Sequence, residues 1–297
     1  MENMLLTGAY GFLGRNIRPF LSSVYSLSKL GWNELNDYKV DLSKEIPCLR
    51  ESFDLVVHTA GKAHFTPATS QENMDFYRMN VEGTKNLCKA LERTGLPRSF
   101  IFISSVSVYG CDHGENITEE YPLKGKSSYA WSKIQAELFL REWCEDHQVV
   151  LGVLRPALIV GKNPPGNLEL MIRMLKNRIY YKMNRPPRKS MVLAEDIARI
   201  IPVLSVKGGV YNLCDTYAPT FTELEDRIAE ILGKKPYLTV SDLFMNILAR
   251  MGDYSGKLFS FDSEKLKKLQ NTLTFSNEKV RKELDWVPSD VLKDMKL

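Results

Sequence analysis

Short apolar runs alternate with longer stretches of helical spacing through the first half of this chain. Runs at 4–7, 24–28, 38–41, 54–60, 99–104 and 149–154 read as six strands. The run Asp54-Leu55-Val56-Val57-His58-Thr59-Ala60 is apolar enough to be buried on both faces. Between the runs, 71–93 carries Met74, Val81, Leu87 and Leu91 at helical spacing, and 127–146 reads as a second long helix. A helix is also expected over 12–22, where Pro19 removes a hydrogen bond and predicts a short or kinked element. Strands alternating with helices predict a parallel sheet with helices on both faces.

The rhythm changes near Gly161. A Pro-containing loop at 162–166 leads to a short helix at 168–176. Residues 191–193 and 210–213 read as strands able to rejoin the main body, and a helix over 221–232 ends at Gly233. The expected organisation is a nucleotide-binding α/β domain over 1–160, rejoined by 192–215. A smaller, irregular substrate-binding cap is built from 161–191 and 216–297.

Composition narrows the function classes. A chain of 297 residues holds a large core, and a net charge of +4 with no basic block gives no argument for nucleic acid. The five cysteines (Cys48, Cys88, Cys111, Cys144, Cys214) show no C-x-x-C, and the four histidines supply no metal spacing. Free thiols in a reducing cytosol are the expectation, with no metal. The N-terminus reads as a strand and not as a signal peptide, and the apolar run at 149–160 is broken by Arg155-Pro156. A cytoplasmic protein without membrane insertion is expected.

Three features fall at strand ends, where open α/β sheets bind ligands. Gly8-Ala9-Tyr10-Gly11-Phe12-Leu13-Gly14 follows the first strand. Its glycines permit a tight turn, close approach of a pyrophosphate, and close packing of a helix whose N-terminus favours an anion. Ser104-Ser105-Val106-Ser107-Val108-Tyr109-Gly110 follows the fifth strand. Tyr129 and Lys133, four residues apart, share one helix face. The cation favours the tyrosinate, which would make Tyr129 an acid/base near neutral pH, and a hydroxyl such as that of Ser105 can hold the substrate oxygen.

Taken in order, these motifs resemble the extended short-chain dehydrogenase/reductases that act on nucleotide sugars, the NAD-dependent epimerase/dehydratases. The resemblance runs nearly end to end. Thr7 to Gly14 matches the cofactor loop, Asp41-Leu42 the adenine pair, and His58-Thr59-Ala60-Gly61 the stretch beside the pyrophosphate and nicotinamide ribose. Asn80-Val81-Glu82-Gly83-Thr84, Leu154-Arg155-Pro156, Val210-Tyr211-Asn212-Leu213 and the stretch from Asn277 to Pro288 match later family elements, with Asp285 in place of Gly.

The resemblance implies a Rossmann doubly wound parallel sheet and catalysis by Ser105, Tyr129 and Lys133. It implies a cofactor site of Gly8, Tyr10, Gly11, Phe12, Leu13, Gly14, Arg15, Asp41, Leu42, Thr59, Ala60, Gly61, Lys62, Asn80, Ser104 and Pro156, together with Tyr129 and Lys133. A nucleotide-diphosphate sugar, expected to be a UDP-sugar, would meet His64, Ser105, Ser107, Asn167, Leu168, Arg188 and Lys189. The basic pair Arg188-Lys189 is read either as facing the diphosphate or as a solvated patch.

Two departures bear on the chemistry. NAD enzymes of this type carry an acid at the end of the second strand; here Ser26-Leu27-Ser28-Lys29 stands in that place. Ser28 and Lys29, with Arg15, therefore favour NADP over NAD, the alternative being that Lys29 is a solvated loop residue. Val106 and Ser107 replace the acid pair that a 4,6-dehydratase needs, which disfavours dehydration. A C4 ketoreductase of surface-polysaccharide precursor synthesis is favoured, a UDP-hexose 4-epimerase is the alternative, and a non-catalytic dinucleotide sensor is a third reading. In relatives the helices at 71–93 and 127–146 form a dimer face; Phe139 and Trp143 either add to it or cover the sheet.

Overall fold

A computed structural model describes residues 1–63, 69–181, 186–234, 238–255, 266 and 270–297. The strands of the first half are β1 (Asn3–Thr7), β2 (Ser26–Gly31), β3 (Tyr38–Lys39), β4 (Leu55–His58), β5 (Ser99–Ile103) and β6 (Gly114–Ile117). They are followed by β7 (Val150–Pro156), β8 (Leu158–Val160), β9 (Ile179–Tyr181), β10 (Met191–Leu193), β11 (Gly209–Leu213), β12 (Leu238–Val240) and β13 (Leu273–Phe275). The helices that position the site are α1 (Phe12–Val24), α2 (Ser70–Tyr77), α3 (Gly83–Thr94), α4 (Ser128–Asp146), α5 (Asn167–Lys176) and α6 (Ala194–Lys207).

Seven strands form one parallel sheet in the order β11-β7-β5-β4-β1-β2-β3. Alternation along β1 sends Met4 and Leu6 to one face and Leu5 to the other. On the first face Ile17 and Leu21 of α1 meet Ile197, Ile201 and Leu204 of α6. On the second, Leu87 and Leu91 of α3 meet Ala136, Leu140 and Trp143 of α4. Burial on both faces is why β4 and β5 read as continuous apolar runs. From β1 the chain runs outward to β2 and β3, then crosses to β4 on the other side. That reversal opens a crevice at the carboxyl ends of β1 and β4.

Several expectations are corrected. Helix α1 runs 13 residues, two past the expected end, and is unbroken at Pro19. Pro19 is exposed, so the carbonyl it leaves unpaired can be hydrated. The second strand begins and ends later than the apolar pattern suggests, because pairing with β1 sets its register and joins Thr7 to Leu30. The helix expected at 71–93 is divided: a π-helical turn, Arg78–Glu82, separates α2 from α3, and Gly83 N–H donates to the Arg78 carbonyl. Strand β11 joins the main sheet as expected, whereas β10 pairs with β8 in a separate ribbon. Trp143 lies inside the core and donates from Nε1 to Glu92 at 2.7 Å, so it covers the sheet.

The irregular part has its own cluster, with Val160, Leu168, Ile172 and Leu175 against Leu224 and Ile228. Late in the chain, Val280, Leu284 and Trp286 return to the cluster between α1 and α6. Among the described residues no helix is long and apolar enough to cross a membrane, and no group of three or more His, Cys, Asp or Glu side chains could hold a metal ion. The five cysteines are free.

Candidate active site

The glycine loop is built so tightly that side chains are excluded. Gly8 has φ +70°, and a Cβ there would stand 2.7 Å from Ala60 N. A Cβ on Gly14 would stand 2.2 Å from the Gly8 carbonyl oxygen. Gly11 caps α1 with no side-chain hydrogen bond, and the first turn of α1 holds no acidic residue. Its free N–H groups and its dipole are thus left for an anion such as a pyrophosphate, and the loop fits a dinucleotide. Phe12 and Leu13 begin α1, and Arg15 is exposed on its first turn. Tyr10 turns elsewhere: its hydroxyl donates to the Leu35 carbonyl at 2.8 Å, with Arg18 over its ring.

The wall opposite is a polar lattice at the ends of β1 and β4. Thr59 Oγ1 donates to the Thr7 carbonyl at 2.7 Å, and Ala60 N–H donates to Thr7 Oγ1 at 3.1 Å. His58 Nδ1 contacts Thr7 Oγ1 at 2.6 Å and its Nε2 contacts Thr84 Oγ1 at 3.0 Å. Burial, aided by the charge of Lys133, pushes His58 down to about 3, so the ring is neutral. Asn80, swung inward by the π turn, accepts from Lys62 N–H at 2.8 Å and donates to the Lys62 carbonyl at 3.2 Å and Ser132 Oγ at 2.8 Å. Gly61 passes between them; a Cβ there would lie 2.9 Å from Asn80 Oδ1 and 3.3 Å from Lys133 Nζ.

Helix α4 begins at Ser127, whose hydroxyl accepts from Ala130 N–H, and the cap fixes where Tyr129 emerges. Lys133 is buried; its Nζ donates to the Ile103 carbonyl at 2.8 Å and stands 4.5 Å over the Phe102 ring. Burial lowers Lys133 to about 8, with the Glu137 carboxylate opposing. Burial also raises the Tyr129 phenol, and a hydrogen bond with the Ser105 side chain works against the rise. The expected tyrosinate is therefore corrected: burial dominates at Tyr129, and the Lys133 ammonium spends a bond on a carbonyl. Ser105 opens the turn Val106–Tyr109 and accepts from Ser107 N–H at 3.1 Å. Ser105, Tyr129 and Lys133 thus converge at the carboxyl end of β5, arranged to pass a proton to or from a substrate oxygen.

The remaining candidates divide. Pro156 ends β7, and Asp41 follows β3, closing its own turn by accepting from Ser43 Oγ at 2.7 Å. Leu42 is a core residue of the second face. Ser28 is corrected: it pairs with Leu5 in mid-sheet and its hydroxyl points to Glu51 at 3.4 Å. Gly31 and Trp32 hold the end of β2 instead, while Lys29 is paired with Asp37 at 3.4 Å. The Ser104 hydroxyl is buried and donates to Glu137.

In the irregular part, the Leu168 side chain is buried in the local cluster in the first turn of α5, and Asn167 is exposed beside it. Ser107 Oγ is buried without a hydrogen-bond partner. Arg188 is exposed and donates to the Ala218 carbonyl at 2.8 Å, and burial lowers the half-buried Lys189 to about 8 against the pull of Asp112. His64 lies outside the described residues. Sequence reasoning missed Glu137, although it continues the Tyr129–Lys133 spacing by one more turn.

The family model for the NAD dependent epimerase/dehydratase family matches residues 4–214. The chain belongs to that family. It is an NAD(P)-dependent enzyme of the short-chain dehydrogenase type, a class whose members modify nucleotide sugars. An Escherichia coli O157:H7 relative, N-acetyl-alpha-D-glucosaminyl-diphospho-ditrans,octacis-undecaprenol 4-epimerase, is 27% identical, covering 94% of this chain and 88% of its own. GDP-6-deoxy-D-mannose reductase of Pseudomonas aeruginosa is 26% identical over 77% of this chain and 80% of its own. Among solved structures, RMD from Pseudomonas aeruginosa complexed with NADPH superposes with a TM-score of 0.77 at 21% identity, covering 99% of this chain and 96% of the other. For this epimerase/dehydratase, that last likeness speaks to the fold.

Proposed function

We propose that this protein is an NADPH-dependent reductase of the C4 ketone of a nucleotide-diphosphate sugar. The convergence of Ser105, Tyr129 and Lys133 at the carboxyl end of β5 supports the reading, since a reductase needs a protonated acid beside the ketone oxygen and burial favours the protonated Tyr129 phenol. Tyr129 donates the proton, Ser105 holds the same oxygen, and Lys133 holds the nicotinamide ribose. The bound cofactor supplies the hydride. NADPH is favoured because no carboxylate stands at the end of β2: Gly31 occupies it, and the nearby Glu34 and Asp37 are paired with Lys39 and Lys29. Arg15 is then the exposed cation at the start of α1 for a 2′-phosphate.

The test is direct. Purified protein mixed with a UDP-4-keto-hexose should consume NADPH mole for mole, with a lower KM for NADPH than for NADH. Tyr129→Phe should lower kcat by about 10²-fold or more while leaving NADPH affinity nearly intact. Wild-type turnover by the variant would end the proposal. A 4-epimerase is the second reading, favoured by the E. coli relative named a 4-epimerase that covers 94% of this chain. It predicts conversion of a UDP-hexose with no net change in cofactor. We also infer a homodimer through the exposed Met74, Trp131 and Leu138 of α2 and α4.

A further inference from the structure

Three matched motifs leave residues without a role in the chemistry above: Tyr109, Arg155 and Asn212. In the structure they are one hydrogen-bonded chain that ends on Glu137. The Glu137 carboxylate takes Arg155 in a fork, Nε to Oε1 at 3.1 Å and Nη2 to Oε2 at 2.6 Å. Oε1 also accepts from Ser104, the neighbour of Ser105. Arg155 Nη1 donates to the Tyr109 hydroxyl at 3.1 Å, which donates in turn to Asn212 Oδ1 at 2.6 Å. Asn212 Nδ2 closes the chain on the Ile117 carbonyl at 3.1 Å. The side chains of Glu137 and Arg155 are each 3% exposed.

Such a pair is a poor stabiliser, since apolar side chains of the same volume often serve the fold as well or better. Its place points to another use. Glu137 stands one helical turn from Lys133 and two from Tyr129. Among the described residues, the other groups around Lys133 offer it no counter-charge. From β4 comes the neutral His58, and from β5 the Phe102 ring and Ile103 carbonyl. From α4 comes the Tyr129 phenol, and from the α2 side the Lys62–Asp75 ion pair, which lies at the Phe76 ring.

We propose that Glu137 and Arg155 are positioning residues: the Glu137 carboxylate holds Lys133 as an ammonium, Arg155 fixes that carboxylate and offsets its pull, and the Ser104 bond to Glu137 sets the turn carrying Ser105. Glu137 favours the ammonium and Arg155 disfavours it. The proposal rests on the reading of Lys133 as the cation that holds the cofactor.

The experiment is a titration of NADPH binding by fluorescence, without sugar, from pH 6 to 10. In the wild type, affinity should fall through a midpoint near the value of about 8 set for Lys133. Glu137→Gln should move that midpoint down by about one pH unit, and Arg155→Gln should move it up by about as much. Glu137→Asp and Arg155→Lys keep the charges and should leave it in place. Loss of structure alone would move both neutral variants the same way. If Glu137→Gln fails to fold, Arg155→Gln read against Arg155→Lys still carries the test. Parallel shifts, or no shift, overturn the proposal while leaving the reading of the site intact. A wild type that bound neither NADPH nor NADH at any pH would overturn both.

Discussion

His58 shows what one buried side chain costs and secures. Both ring nitrogens are engaged by threonines, Thr7 on β1 and Thr84 on α3, so the imidazole staples the end of one strand to the helix across the crevice. It stacks on Phe102 at 5.8 Å, where a positive charge has no solvent. Its pKa falls from an ordinary 6.5 to about 3 in the folded chain. The sign follows: the unfolded chain binds the proton first, so the stability held by the neutral ring is complete above pH 6.5 and is lost as pH falls towards 3. The slope is about 1.4 kcal/mol per pH unit below the unfolded value. Urea midpoints measured between pH 7 and 5 should therefore fall with pH, and His58→Gln, which retains donor and acceptor, should flatten that fall.

The π turn at Arg78–Glu82 is the element on which the cofactor wall depends. It inserts one residue into what would otherwise be a continuous helix, and that residue turns Asn80 towards Lys62 and Ser132. Deleting Met79 should restore α-helical geometry between α2 and α3. The expected result is a cooperative fold with a melting temperature about 4 to 12 °C below wild type, since two to three hydrogen bonds of roughly 1 kcal/mol each are lost. NADPH affinity should drop by about tenfold or more, since two to three hydrogen bonds leave the wall.

Apolar spacing does not reveal such a turn, because Met74, Val81, Leu87 and Leu91 satisfy a single helix as well as two. The second strand has a similar history. Leu27 and Leu30 fit more than one end point, and pairing with β1 decides between them. By contrast, the glycine loop, the serine turn and the Tyr129–Lys133 pair were all legible. Each is a local solution to a local requirement: a turn with no room for Cβ, a cap, one helical turn. Glu137 was hidden for the opposite reason, since its partner Arg155 is 18 residues away and on another element.

At the scale of the molecule, the sheet brings these local solutions to one edge and the helices shield it. Helices α2 and α4 pack side by side, with Tyr77 and Trp131 stacked at 5.4 Å. Leu138 is 44% exposed on the same side and Trp131 46%. If this face joins two copies, Leu138→Arg should convert a dimer to a monomer in sedimentation with little change in melting temperature, because the side chain leaves the core untouched. A monomeric wild type would remove the homodimer.

The return of Val280, Leu284 and Trp286 to the cluster between α1 and α6 has a consequence for synthesis. Trp286 donates to the Asp196 carbonyl at 3.4 Å, and Ser289 N–H donates to the Asp196 carboxylate at 2.9 Å, closing the seam. At the usual pace of translation the stretch from β11 to Trp286 takes roughly 4 to 15 seconds to make. For that interval the seven sheet strands exist with one helical layer incompletely covered. A ribosome paused there would hold an adhesive surface, and rare codons in that stretch would lower soluble yield where the same codons placed before β1 would not.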